Sequence, residues 1–139
     1  FEVLHVTEFL ARELPGAGRG VKGPVDGPVT YHDPCSLGRG LGRYEEPRQL
    51  LEQIPGIDFR EMDRNRVNAT CCGTSAWMEC SSCSRAMQLD RLQEAAATGA
   101  STLITSCPKC QIHFSCARNA AEMDLAVTDI YAYLRECLG

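Results

Sequence analysis

Leu103-Ile104-Thr105-Ser106-Cys107-Pro108-Lys109-Cys110, residues 103 to 110, passes from a β-type run straight into a helix start. Leu103 to Thr105 is a short strand, and Pro108, whose φ is already helical and whose missing N–H would be unpaired anyway, opens the helix after it. Cys107 therefore stands near the helix N-cap, with Cys110 one turn in. Both sulfurs lie near unpaired backbone N–H groups and the positive end of the helix dipole, which lowers a thiol pKa. Taken by itself, this C-x-x-C motif serves metal ligation and dithiol exchange equally well.

The same alternation recurs outward from this stretch. Val29 to His32 reads as a strand running into Asp33-Pro34-Cys35. A short helix is expected from Pro47 to Pro55-Gly56, and residues 57 to 62 read as a second strand. Ala86, Leu89, Leu92 and Ala96 mark a helix from Cys83 to Thr98, closed by Gly99 in the αL position. Leu125 to Val127 is a fourth strand, and Ile130, Leu134 and Leu138 line a closing helix. Strands alternating with helices predict an α/β fold: a small parallel sheet, helices on both faces, and cysteines gathered at the carboxyl ends of the strands, where open α/β sheets place their sites.

Ahead of this lies an amphipathic helix over residues 3 to 14, marked by Val3, Val6, Leu10 and Leu14. A linker with five glycines and three prolines between Pro15 and Pro28 follows it. Residues 1–28 are thus helix and linker, and residues 29–139 the domain proper. The glycines of the linker neither follow a strand nor open a helix, so they form no nucleotide fingerprint. The start, Phe1-Glu2-Val3, has no initiator Met or signal peptide, and the chain is expected to be the C-terminal part of a longer subunit.

The 139 residues carry 44% hydrophobic and 23% charged side chains, the balance of a globular domain. The net charge of -4 and the scattered basic residues speak against nucleic acid, and no apolar run is long enough to span a membrane. Nine cysteines exceed what packing asks for, and two are adjacent. Consecutive residues of an extended segment point to opposite sides, so Cys71-Cys72 is awkward in one small tetrahedral zinc site and better suited to a multi-iron cluster. Gly73 would let the backbone pass close to a bulky inorganic core. A zinc site remains a rival, because Cys80-x-x-Cys83 and Cys107-x-x-Cys110 form two pairs 23 residues apart.

Cys35, 35 residues, Cys71-Cys72-Gly73, and then Cys107-Pro108-Lys109-Cys110 together resemble the cysteine-rich CCG domain found in the B-type and D-type subunits of heterodisulfide reductase. The domain also occurs in glycolate oxidase and lactate-utilisation iron-sulfur subunits and in the quinol-linked subunit of the dissimilatory sulfite-reductase complex. The flanks agree, with Tyr31-His32-Asp33-Pro34-Cys35-x-Leu37-Gly38-Arg39 similar to the first family motif. Thr105-x-Cys107-Pro108-Lys109-Cys110-Gln111-Ile112-His113-Phe114 is similar to the last, and the likeness spans residues 29 to 116.

The resemblance implies a non-cubane [4Fe-4S] cluster on Cys35, Cys71, Cys72, Cys107 and Cys110, used for disulfide reduction or thiol-linked electron transfer. It makes Cys72 and Cys107, acting through the cluster, the catalytic candidates. It also implies a ferredoxin-type iron-sulfur domain or subunit as electron donor, a thiol or disulfide substrate, and a membrane quinol-oxidising partner in some relatives. The expected location is cytoplasmic, reaching the inner face of a membrane only through partners.

Zinc, an interaction module and a cluster-free dithiol on Cys107 and Cys110 stand as alternatives. Cys80 and Cys83 are extra candidate ligands, while Cys116 and Cys137 are expected to be packing residues. His32 and His113 are read as structural histidines, with donation to a cluster sulfur as the other reading. Arg39 and Lys109 are either solvated or counter-charges to an anionic cluster, and Trp77 with Met78 is expected to cover the cluster from solvent.

Overall fold

In the computed structural model, which describes residues 1–14, 27–74 and 81–138, three parallel strands form the sheet. They are β1 (Val29–His32), β2 (Thr102–Thr105) and β3 (Ala126–Asp129), in the order β1-β2-β3. Val29 lies beside Thr102 and Thr102 beside Ala126, so β1 and β2 end level with each other at His32 and Thr105. The helices are α1 (Val6–Glu13), α2 (Glu45–Glu52), α3 (Ser82–Ala97), α4 (Pro108–Ala120) and α5 (Ile130–Leu138).

Both faces of the sheet are covered, as the alternation of helix and strand requires. On one face Val29, Tyr31 and Ile104 pack with Leu50, Leu51, Ile130 and Leu134 from α2 and α5. On the other, Leu103 packs with Leu92 and Ala95 of α3 and with Cys110, Phe114 and Ala117 of α4. The period of two along a strand makes this division: Leu103 and Ile104 are neighbours in sequence and belong to opposite cores. Cys72, from the connection before α3, is buried in the second core, with Cys71 and Cys107 packed against it.

Several boundaries differ from expectation for identifiable reasons. Residues 57–62 form no strand; Phe59 makes one parallel bridge to Val29, through Val29 N–H to Asp58 O and Arg60 N–H to Val29 O, both 2.8 Å. Pairing goes no further, and two residues on the Glu61 carboxylate accepts from Arg48, with Nε–Oε1 at 2.5 Å. Helix α1 starts at Val6 rather than at residue 3, because His5 caps it: His5 Nδ1 accepts from Thr7 N–H at 3.3 Å, and Glu8 Oε2 accepts from His5 N–H at 2.9 Å. Helix α2 starts at Glu45, so Pro47 is its third residue, still within the turn whose N–H groups have no helical partner. Gly99 does close α3, with φ +75°.

The loop after β1 is tied by a buried ion pair. Asp33 accepts from Arg48 Nη1 at 2.8 Å, from Arg48 Nη2 at 3.0 Å and from the Arg66 backbone N–H at 2.8 Å. Arg48 is 2% exposed and also lies over the Tyr31 ring, 5.5 Å from its centroid. Breaking one half of such a pair leaves an uncompensated buried charge. Asp33→Ala is therefore expected to cost about 3–5 kcal/mol, seen as a lower urea midpoint with an unchanged m-value.

Candidate metal centre

The second core ends, at the carboxyl edge of the strands, in a nest of sulfur and imidazole. His32 is the last residue of β1, Cys72 lies in the connection before α3, and Cys110 lies in the first turn of α4. All three are buried, and their ligand atoms lie within 4.8 Å of one another. Among the described residues this is the group of His, Cys, Asp and Glu side chains gathered closely enough to hold a metal ion.

The Sγ atoms of Cys72 and Cys110 are 3.1 Å apart, with the Cys110 thiol donating. That separation is far beyond the roughly 2.05 Å of a disulfide, and both cysteines are free. Donation from Cys110 is the main influence holding the Cys72 thiol far below its ordinary pKa, against the opposing effect of burial; His32 and Thr74 also donate to it, with Thr74 Oγ1 at 2.9 Å. Cys110 is driven the other way, because its proton bridges to Cys107 and Cys72 and its sulfur is buried beside both. Cys107 is drawn down to about 6 by the Cys110 hydrogen bond and by the backbone N–H groups of Cys110 and Lys109. These are the orphan donors of the α4 N-terminus that Pro108 was expected to create.

The other sequence candidates fall in different places. Cys71 is half-buried beside the second core. Cys35 is exposed, at the N-cap of a π-helical segment Ser36–Gly40, and borders a small cleft whose other side is Ala69 and Thr70, just before Cys71. Arg39 is exposed, as a solvated cation would be, and it also ties the two cysteine-bearing loops, Nη2 donating to Ala69 O at 2.5 Å. Cys83 is exposed near the start of α3, and Cys80, Trp77 and Met78 lie outside the described residues. Cys137 is buried in the first core as expected, but Cys116 is exposed: it lies on the side of α4 away from the core that Phe114 and Ala117 fill.

Two further residues have defined neighbours. Gly73 has φ +75°, and a Cβ there would meet Ser84 O of α3 at 2.6 Å. Its lack of a side chain lets the loop dock on α3, where Ser84 Oγ donates back to Gly73 O, a second use for this glycine beside the one expected of it toward a cofactor. His113 points to the buried Gln88, Nδ1 to Nε2 at 3.0 Å, whereas His32 does reach Cys72. Sequence reading missed Arg91 of α3, fully buried, whose Nε donates to His32 Nδ1 at 3.2 Å. Its one signal was its place three residues after Gln88 and four before Ala95, on the face of α3 that is buried.

Comparison with known proteins fits this arrangement. The model of the CCG cysteine-rich domain matches residues 29–115. The chain belongs to that family. This CCG-domain chain is 38% identical, over all of its 139 residues, to 34% of the D-type subunit of the dihydromethanophenazine:CoB-CoM heterodisulfide reductase from Methanosarcina barkeri. It is 36% identical to the B-type subunit of the fumarate reductase (CoM/CoB) from Methanothermobacter marburgensis, across 80% of this chain and 22% of that protein. It is also 36% identical, across 78% of this chain, to 16% of a Bacillus subtilis protein named "Probable iron-sulfur-binding oxidoreductase FadF". The chain thus spans about a third of the length of the heterodisulfide reductase subunits it matches.

Two outcomes follow from the geometry of this CCG domain. In reduced, metal-free protein, alkylation of Cys107 by iodoacetamide should become half-maximal near pH 6 rather than near the pH of about 8.5 of an ordinary thiol, because its depressed pKa keeps the thiolate present at lower pH. Peptide mass mapping across pH reads this directly. Gly73→Ala should cost roughly 1–3 kcal/mol from the left-handed backbone alone, and more from the contact with Ser84, measured as a fall in Tm.

Proposed function

We propose that this CCG domain is the oxidoreductase module of a larger iron-sulfur protein, binding a [4Fe-4S] cluster of the non-cubane type through Cys35, Cys71, Cys72, Cys107 and Cys110. The observation that carries this reading is the buried Cys72–Cys110 pair, 3.1 Å between sulfurs, at the edge of an apolar core with Cys71 and Cys107 packed beside it. Soft thiolates in a water-poor setting are the donor set that iron-sulfur clusters use. The relatives named as iron-sulfur-binding and as reductase subunits favour the same chemistry.

When bound, such a cluster supplies single-electron transfer and an iron site open to a substrate sulfur. The chain's own residues prepare for it. Cys72 is already held as a thiolate by three donors, and the α4 N-terminus lowers the proton affinity of Cys107, so two ligands need little deprotonation at neutral pH. Phe114 and Leu92, both fully buried, exclude water from the inner side. Cys35, exposed beside a small cleft, lies on the side that this reading assigns to the arriving substrate.

The proposed reaction is reduction of a disulfide, R–S–S–R with two electrons and two protons giving two thiols, the electrons coming one at a time from a ferredoxin-type domain or subunit. A membrane quinol-oxidising partner, with the protein working at the inner face of the membrane, would fit the same module.

Anaerobic isolation followed by iron, zinc and acid-labile sulfide analysis tests the cofactor. About four irons with matching sulfide per chain are expected, with most of both lost in Cys72→Ala. One zinc with no sulfide would overturn the reading. A dithiol enzyme on Cys107 and Cys110 would instead keep its disulfide reductase activity in Cys35→Ala.

A further inference from the structure

The imidazole inside the sulfur nest faces a donor from behind, and that orientation decides its role. Arg91 is fully buried, and its guanidinium is clamped by Nη1 to Arg64 O at 2.8 Å and to Glu94 Oε2 at 2.7 Å. That leaves Nε aimed at His32 Nδ1, 3.2 Å away. Phe114 holds the same ring edge-on, at 4.8 Å between centroids and 85° between planes. The ring is thus fixed in place by two side chains that are themselves fully buried.

A guanidinium only donates, so Nδ1 accepts and the imidazole hydrogen sits on Nε2. Nε2–H is then the hydrogen that the ring can offer to Cys72, whose sulfur lies within 4.8 Å of the ring nitrogen that faces it. A metal-bound histidine shows the reverse pattern: one nitrogen gives its lone pair to the metal and the other donates its N–H to a carboxylate or carbonyl. Here the second nitrogen meets an N–H, and that pattern cannot form.

We propose that Arg91 is a positioning residue: it locks His32 in the Nε2–H tautomer, so that His32 donates a hydrogen bond to the Cys72 sulfur of the bound cluster and is barred from ligating metal. The proposal rests on the cluster reading above. The compact His32, Cys72 and Cys110 group then is not a zinc-type site, and the ligand set is thiolate only.

Hydrogen bonds to cluster sulfurs and nearby positive charge both favour the reduced, more negative state. Arg91 supplies the charge itself and the hydrogen bond through His32. Its one ion pair among the described residues is with Glu94, and its Nη2 has no hydrogen-bond partner there, so its charge is only partly offset.

The test uses the full-length protein, isolated anaerobically with 15N-labelled histidine. Iron and sulfide analysis comes first, and absence of both would overturn the cluster reading itself. With the cluster present, pulsed EPR of the reduced state should show only the weak nitrogen coupling of a hydrogen-bonded imidazole. The strong coupling of a nitrogen bound to iron would overturn the inference and leave the cluster reading standing.

Redox titration supplies the second readout. Arg91→Met should keep its iron and lower the reduced-to-oxidised ratio at fixed potential roughly tenfold, about 59 mV for one electron; Arg91→Lys should recover part of that shift. His32→Gln, which still offers an N–H, should keep iron and stay near the wild-type potential, whereas His32→Leu should keep iron and shift down. Loss of iron in both His32 variants, or an unshifted potential in Arg91→Met, would refute the positioning role.

Discussion

The Asp33 carboxylate holds the cysteine edge together. It lies one residue past β1 and accepts three hydrogen bonds, two from Arg48 of α2 and one from the backbone of Arg66, in the segment that leads to Cys71 and Cys72. One buried anion thereby joins a strand end, a covering helix and the adjacent-cysteine loop. Charge-assisted bonds of this kind are directional as well as strong, so they set where the loops lie and not only that they stay folded. Cys35, two residues on, and Cys72, six residues beyond Arg66, inherit their positions from this knot. Arg66 itself adopts φ +53°, a conformation that a non-glycine side chain keeps only under such constraint.

The two faces of β1 divide the labour. Val29 and Tyr31 point into the first core, which is apolar, while His32 points into the second, where Phe114, Cys72 and Arg91 meet it. A one-residue slip would put Tyr31 among the sulfurs and His32 in the hydrocarbon core. Register is therefore as important to the site as the cysteines. Tyr31 Oη to Ser106 Oγ, 2.7 Å and buried, ties the same β1 end to the loop that carries Cys107.

Much of this was legible in the sequence because it is local or periodic. The strand of Leu103 to Thr105, the Pro108 helix start and the Gly99 stop each depend on a few neighbouring residues, and the structure has all three. The spacing of the motif cysteines pointed to the CCG domain, since those intervals follow from the lengths of the intervening elements. What could not be read depends on distant partners. Glu61 pairs with Arg48 where a strand was expected, and Gly73 makes room for Ser84 of α3, a neighbour eleven residues along the chain. Arg91 meets His32 across 59 residues of chain. No periodicity announces such a pair, because an arginine in a helix is ordinarily a solvent residue and only burial makes it a counter-charge.

Burial of several thiols together also sets a charge problem whose solution shows what the nest is suited to. Separate thiolates a few ångströms apart in a medium of low polarity repel strongly. The directions of the shifts divide the charge: Cys110 is driven up and keeps its proton, while its hydrogen bonds draw Cys72 and Cys107 down. Were iron bound by these sulfurs, its positive charge would supply the compensation that the Cys110 proton supplies here. The remaining stabilisers of negative charge, the His32 donor, the buried Arg91 and the α4 N-terminus, stay in place. They act on the sulfurs whether the compensating charge is a proton or iron, which is the preorganisation that a site changing its charge by one electron at a time requires.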